Sequence, residues 1–307
     1  MKRVLLTGAS GFIGRHCIAP LVARGDEVHA VTRHRDDAEP SDGVHWHRAD
    51  LLDAASVRRL VDEIGATHLL HAAWYAVPGK FWSSAENFRW VSASLDLFEA
   101  FAAAGGRRIV VAGTCAEYDW RVAGECHEAT TPLAPATLYG ACKHALHVML
   151  AAFARQSGLS YAWGRIFFPY GPGDHAEKFV AHVARSLLRG EVVNCTHGRQ
   201  VRDFIYVEDA GAALASLLDS SVEGAVNVAT GEGVALRDVG ERIAALTGRG
   251  ELLRFGALSA PEGEPPELVA DITRLRREVG FAPAFTLERG VESTVEWWRR
   301  RLESERR

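Results

Sequence analysis

Three glycines at one spacing limit what this chain can fold into more than any other feature. Gly8, Gly11 and Gly14 fall in Thr7-Gly8-Ala9-Ser10-Gly11-Phe12-Ile13-Gly14. The segment follows the apolar run Val4-Leu5-Leu6 and leads into helical spacing of apolar residues over 13–24. A strand that turns into a helix through three such glycines meets three demands at once: a tight turn, close approach of backbone to a phosphate, and tight packing of helix on strand. The helix start then offers free N–H groups and the positive end of its dipole to an anion. The pattern predicts a dinucleotide cradled by Gly8, Ser10, Gly11, Phe12, Ile13 and Gly14. A plain turn is the competing reading, and position between strand and helix argues against it.

The periodicity downstream agrees. Short apolar runs at 3–6, 27–31, 44–47, 68–71 and 108–111 alternate with helical patterns over 13–24, 55–64 and 88–104, and further strands are expected at 160–166 and 225–228. Such alternation predicts an α/β fold, a Rossmann-type doubly wound parallel sheet. The 307 residues, 48% of them apolar, suffice for that sheet plus a smaller, mostly C-terminal substrate-binding domain. The expected division is 1–168 with about 204–230 returning to the dinucleotide-binding part, and about 169–203 with 231–307 in the substrate part.

A net charge of −4 argues against a nucleic-acid or membrane-surface binder. No apolar run is long enough to cross a bilayer. The five cysteines are scattered without a C-x-x-C pair, which points to neither a zinc site nor a disulfide framework, and no metal is expected. Reduced thiols and the absence of a signal-like start predict a cytoplasmic enzyme.

The end of the second strand reads the adenosine ribose in this fold. An acid there favours NAD by accepting from both ribose hydroxyls. This chain has Thr32 followed by Arg33, with Arg35 close behind. A guanidinium pairs bidentately with a 2′-phosphate, so NADP(H) is favoured over NAD(H); a solvated loop arginine is the alternative. Asp50-Leu51 after the third strand and Ala72-Ala73 after the fourth fall where the adenine and the cofactor backbone would approach.

Tyr139 and Lys143 stand four apart, on one face of a helix. A nearby ammonium favours the phenolate of a group that otherwise titrates near ~10. That suits general acid–base work. The strand Ile109–Ala112 ends at Gly113-Thr114, where ligands bind in open sheets, and Thr114 can donate to a substrate oxygen. A structural tyrosine and a threonine bonded to backbone remain alternatives.

Together these residues resemble the extended short-chain dehydrogenase/reductase family, in its nucleotide-sugar epimerase, dehydratase and reductase branch. The likeness runs through Thr7–Gly14, Asp50, Thr114, Tyr139/Lys143, Arg165 with Tyr170-Gly171-Pro172-Gly173, and Val201-Arg202-Asp203-Phe204-Ile205-Tyr206-Val207-Glu208-Asp209. It continues through Asn227, Gly231, Ala270-Asp271 and Trp297. It implies that Thr114 and Tyr139 hold the reacting sugar oxygen, Lys143 the nicotinamide ribose, Phe168-Pro169 the border of the nicotinamide, and Arg202 the diphosphate of a nucleotide-diphosphate sugar. A structural role for Arg202 beside Asp203 is the alternative.

Departures narrow the function. Dehydratases of the family carry Asp-Glu after the threonine, where this chain has Cys115-Ala116; Glu117 comes one place late. Phe168 falls near a family asparagine, and Trp90, with Asn87 nearby, near another. The loop Trp74, Tyr75, Lys80, Phe81, Trp82 is unusually aromatic, and Trp74 is a candidate to stack on a base or sugar ring. The family often places a basic residue in 260–267, where this chain has Glu262, Glu264 and Glu267. The expectation is an NADPH-dependent reductase of a nucleotide-activated 4-keto-6-deoxy sugar, with an NAD(P)-dependent 4-epimerase second and a non-enzymatic dinucleotide sensor third. Stripes at Leu95, Phe98, Phe101 and at Leu146, Met149, Leu150, Phe153 lie on helices that form a dimer interface in the family, so a homodimer is expected.

Overall fold

The computed structural model describes residues 2–33, 43–122, 124–261 and 263–305. Arg35 and Glu262 lie outside them. In chain order the first half runs β1 (Arg3–Thr7), α1 (Arg15–Ala23), β2 (Glu27–Thr32), β3 (Val44–Arg48), α2 (Ala54–Ile64), β4 (His68–His71), α3 (Glu86–Ala103), β5 (Arg108–Thr114), α4 (Leu138–Ser157) and β6 (Ser160–Ile166). Then come β7 (Phe168–Tyr170), α5 (Phe179–Arg189), β8 (Val193–Asn194), β9 (Val201–Tyr206), α6 (Val207–Asp219) and β10 (Gly224–Val228). The chain closes with β11 (Gly233–Ala235), α7 (Leu236–Thr247), β12 (Leu253–Arg254), β13 (Glu267–Leu268), α8 (Thr273–Arg277) and α9 (Leu287–Glu305).

Seven strands form one parallel sheet in the order β10-β6-β5-β4-β1-β2-β3. The order reverses between β1 and β4, the crevice where ligands bind in open α/β sheets. Alternation along each strand feeds two cores. Val4, Leu6, Val28, Ala30 and Val110 pack with α1 and α6, while Leu5, Val31, Leu69, Ile109 and Val111 pack with α2, α3 and α4. Burial on both faces is why these strands read as continuous apolar runs.

The stripes expected at a dimer interface lie largely inside the chain. Phe98, Phe101, Leu146 and Leu150 are buried between α3, α4 and the sheet. Helices that sandwich a parallel sheet need an inward stripe of their own, and that need accounts for these residues. Left outside on the two helices are Phe88, 60% exposed, with Val148 and Met149.

A second layer is built from short pieces. β9 pairs antiparallel with β11 and parallel with β7 and β13, and β8 pairs with β12. Helices α5, α7 and α9 close a core of Val183, Leu187, Val239, Ile243, Val291, Val295 and Trp298 against it. Two buried aspartates bind this layer to the sheet through backbone. Asp203 accepts from Thr230 N, Gly231 N and Ala270 N, and Asp209 from Ala284 N and Phe285 N. Among the described residues, no helix is long and apolar enough to cross a membrane.

Candidate active site

The glycine loop is fixed by what lies against it. Gly8 has φ +69°, and a Cβ there would fall 2.7 Å from Ala73 N and 2.8 Å from the Ala72 carbonyl carbon. A Cβ at Gly14 would fall 2.0 Å from Gly8 O. Only glycine satisfies both the positive φ and these approaches. Ala72 and Ala73 therefore wall the loop, as their order in the sequence suggests. Helix α1 has no side-chain cap and no acid in its first turn. Its start, with Gly11, Phe12 and Ile13, is suited to a pyrophosphate, so these residues fit a dinucleotide.

Around that loop, Ser10 Oγ lies 3.3 Å from Thr32 Oγ1 at the end of β2. Arg33 follows, exposed. Asp50 is exposed past β3 and accepts from Leu52 N at 3.0 Å, while Leu51 is buried beneath it. Lys178 reaches over the Phe12 ring, 5.1 Å from its centre, and brings the second layer to the loop.

Thr114 closes β5, and its backbone enters a single 3-10 turn, Cys115–Glu117. Thr114 Oγ1 accepts from Ala116 N at 3.2 Å, and Thr114 N donates to Glu117 Oε1 at 3.2 Å. Helix α4 starts opposite it, with Thr137 Oγ1 capping Gly140 N at 3.1 Å. That start brings the Tyr139 side chain up to Thr114. Burial pushes the Tyr139 phenol above its ordinary pKa, and the neighbouring Thr114 hydroxyl pulls the other way. One turn on, Lys143 is 3% exposed. Its Nζ donates to Ala112 O at 2.9 Å and lies 3.9 Å from the centre of the Trp74 ring. Burial lowers its pKa to about 7, opposed by the charge of Glu117. Thr114, Tyr139, Lys143 and Trp74 thus come together at the carboxyl ends of β4 and β5.

Sequence reasoning underrated Glu117 and Asn87. Glu117, expected to point elsewhere, turns into the core and accepts from Trp163 Nε1 at 2.6 Å and Arg165 Nε at 3.2 Å. Arg165 Nη1 in turn meets Tyr118 Oη at 3.2 Å, and Tyr118 donates to Asn227 Oδ1 at 2.7 Å. The signal was an acid on the 3-10 turn beside a strand arginine, with no surface for either charge. Asn87 is fully buried; it accepts from Trp74 Nε1 at 2.9 Å and donates to Phe81 O and Ser84 O. The aromatic loop it holds presents Phe81 and Trp82 edge-on to Tyr139, with ring centres at 4.9 and 5.7 Å.

Arg202 is set apart from this cluster. It lies on β9, nearly buried, with Nη2 3.0 Å from Glu264 Oε1 and Nη1 on Val201 O. Gln200 holds the other oxygen of Glu264 at 2.8 Å. Phe168 packs beneath the guanidinium at 5.5 Å. The alternative of a structural Arg202–Asp203 pair is not what forms: Arg202 pairs with Glu264, and Asp203 spends its oxygens on backbone N–H groups of the loops beyond β10.

The NAD dependent epimerase/dehydratase family model matches residues 4–229. The UDP-glucuronic acid decarboxylase 1 of Xenopus tropicalis is 27% identical, over 98% of this chain and 73% of that protein. Among solved structures, the UDP-glucose 4-epimerase of Thermus thermophilus in complex with NAD is 30% identical with a TM-score of 0.84, covering 97% of this chain and 99% of the other. MoeE5 in complex with UDP-glucose and NAD is 32% identical with a TM-score of 0.82, covering 98% and 99%. With the glycine cradle, the Thr114–Tyr139–Lys143 cluster and a match to most of its length, the chain belongs to the NAD-dependent epimerase/dehydratase family.

Proposed function

We propose that this protein is an NADPH-dependent reductase of a nucleotide-activated 4-keto-6-deoxy sugar. The observation that carries the reading is the end of β2, where Thr32 is followed by an exposed Arg33 and, among the described residues, no acid stands at that strand end to read a ribose hydroxyl pair. A 2′-phosphate finds a permanent cation there, and a reductase draws on the phosphorylated reduced pool.

Gly8, Ser10, Gly11, Phe12, Ile13 and Gly14 hold the pyrophosphate, Asp50 and Leu51 the adenine, and Ala72 and Ala73 the backbone side of the cofactor. The bound nicotinamide supplies the hydride exchanged with the sugar carbon. Tyr139 gives its proton to the oxygen left behind. Thr114 shares that oxygen: its Oγ1 already accepts from Ala116 N, which leaves its O–H free to donate. Lys143 holds the nicotinamide ribose, and its charge there eases the loss of the tyrosine proton. Cys115 and Ala116 are buried and lack the acid and base that elimination of water demands, and Glu117 is engaged by Arg165 and Trp163. Trp74, Phe168 and Arg202 bound the nucleotide-sugar side, provided Glu264 yields Arg202 to the diphosphate.

On this reading residues 1–168 with 204–230 carry the cofactor, and 169–203 with 231–307 cover the sugar. Two copies pair through the outward faces of α3 and α4 around Phe88, Val148 and Met149. The buried thiols suit a reducing cytoplasm.

A sugar 4-epimerase is the second reading, favoured by what the relatives are called and by the NAD in their structures. The test offers CDP-, dTDP-, GDP- and UDP-linked 4-keto-6-deoxyhexoses with NADPH or NADH and follows loss of the reduced nicotinamide. Turnover with NADPH on one of them is expected. No turnover on any, with cofactor retained by the purified protein and interconversion of 4-epimers without added cofactor, moves the assignment to the epimerase.

A further inference from the structure

At the end of β2 away from Arg33, three histidines and a glutamate share one face of the sheet edge. Glu27 and His29 alternate along β2, and His45 and His47 along the edge strand β3, so the two-residue period sets all four on the side of α2. His29 stands directly opposite His45 in the register. His29 Nε2 lies 3.1 Å from Glu27 Oε1, and His45 Nε2 lies 3.9 Å from the same oxygen. One ligand atom from each of the three lies within 4.8 Å of the others. Ligand atoms around a tetrahedral zinc, at bonds of about 2.0–2.1 Å, stand about 3.3 Å apart. Small rotamer adjustments close the set.

We propose that Glu27 Oε1, His29 Nε2 and His45 Nε2 bind a divalent late first-row metal, zinc foremost, with the fourth position left to water. The mixed nitrogen and oxygen donors suit that class of ion. The surroundings are arranged as an outer shell. Arg3 Nε takes Glu27 Oε2 at 3.0 Å and leaves Oε1 turned toward the histidines. His47 Nε2 lies 2.8 Å from His29 Nδ1. A proton held on Nδ1 by that contact aims the Nε2 lone pair at the metal position, the role an outer partner plays for a ligating histidine.

Neither rival donor set competes. All five cysteines are buried. The other cluster of this kind among the described residues, Glu117 with His144 and His147, has its carboxylate engaged by Arg165 and Trp163. The expectation of no metal rested on cysteine spacing, and donors brought together across two strands leave no contiguous motif. A metal here would tie β3 to β2, the strand that ends at Thr32 and Arg33.

The test is calorimetric titration of ZnCl2 into the full-length, tag-free chain, with Co2+ absorption to report coordination number. Saturable binding of one zinc per chain and a four-coordinate cobalt spectrum are expected. His45 is well exposed, so His45→Gln keeps the fold and is expected to weaken binding at least ~10-fold, as is His29→Gln; His47→Gln is expected to weaken it up to ~10-fold through the outer shell. The proposal is overturned by no saturable binding below about 1 mM, by unchanged affinity in the His29→Gln/His45→Gln double variant, or by loss on His144→Gln instead.

Discussion

Two cations lie buried within range of one carboxylate, and the chain treats them in opposite ways. Arg165 on β6 is enclosed and fully engaged. Burial works against its charge, but Glu117 and Tyr118 overcome that and hold its pKa up. Lys143 on α4 has one carbonyl, the indole faces of Trp74 and, farther off, Trp163, and the field of the same Glu117, and burial brings its pKa down to about 7. The arginine is a fixed structural charge. The lysine is left under-compensated where a ligand would arrive, so its charge state answers to what binds beside it. Complete partnering rigidifies, and incomplete partnering keeps a group adjustable.

The sharpest way to break this comparison is Glu117→Gln. The amide keeps one oxygen for Thr114 N and Trp163 Nε1 but turns an NH2 donor toward Arg165 and strands its charge, so a loss of about 3–5 kcal/mol in chemical denaturation is expected. A loss under about 1 kcal/mol would show that Arg165 finds other partners. Next comes Tyr139→Phe, which leaves the fold and nucleotide-sugar affinity near wild type and lowers kcat by roughly 10²–10⁴-fold. Retained turnover would remove Tyr139 from the proton path.

Lys143→Met separates the two cations more finely. An unfolded lysine keeps its proton up to about pH 10, whereas Lys143 in the fold releases it near 7. Between those values the unfolded chain binds more protons, so this group makes stability rise with pH from about 7 to about 10 and adds no slope below. In the methionine variant that slope should vanish, and the protein without cofactor should gain roughly 1–2 kcal/mol at pH 7 while losing activity. An unchanged slope would mean that Lys143 stays charged throughout. The smallest effect is expected at a third cation, Arg202. Glu264→Gln frees it from its ion pair and should lower KM for the nucleotide sugar a few-fold at constant kcat, in keeping with the modest worth of a partly exposed pair. A higher KM would make the pair part of the site's framework.

What was legible in the sequence follows from the range of the forces involved. The glycine loop and its helix were readable because their constraints are local: the expected helix over 13–24 is observed as Arg15–Ala23. The two-sided burial of the sheet wrote its strands as apolar runs, and the strand read as 108–111 extends to Thr114. Tyr139 and Lys143 were readable from one helix turn. The second layer was not, because strands of two or three residues such as β8, β12 and β13 show no periodicity. Nor was the Glu117 network, which joins residues from positions 117 to 227 through tertiary contact alone. The stripes on α3 and α4 were correctly apolar, but a pattern cannot tell an inward face from an interface.

The aromatic loop has a practical consequence. Trp82 stands edge-on to Tyr139, and Trp74 lies under Lys143. An indole's emission shifts and quenches with the polarity and charge around it, and these two face the space a cofactor and sugar would enter. The protein therefore carries its own optical reporter: ligand arrival beside Tyr139 or Lys143 should be visible in intrinsic fluorescence, without a label.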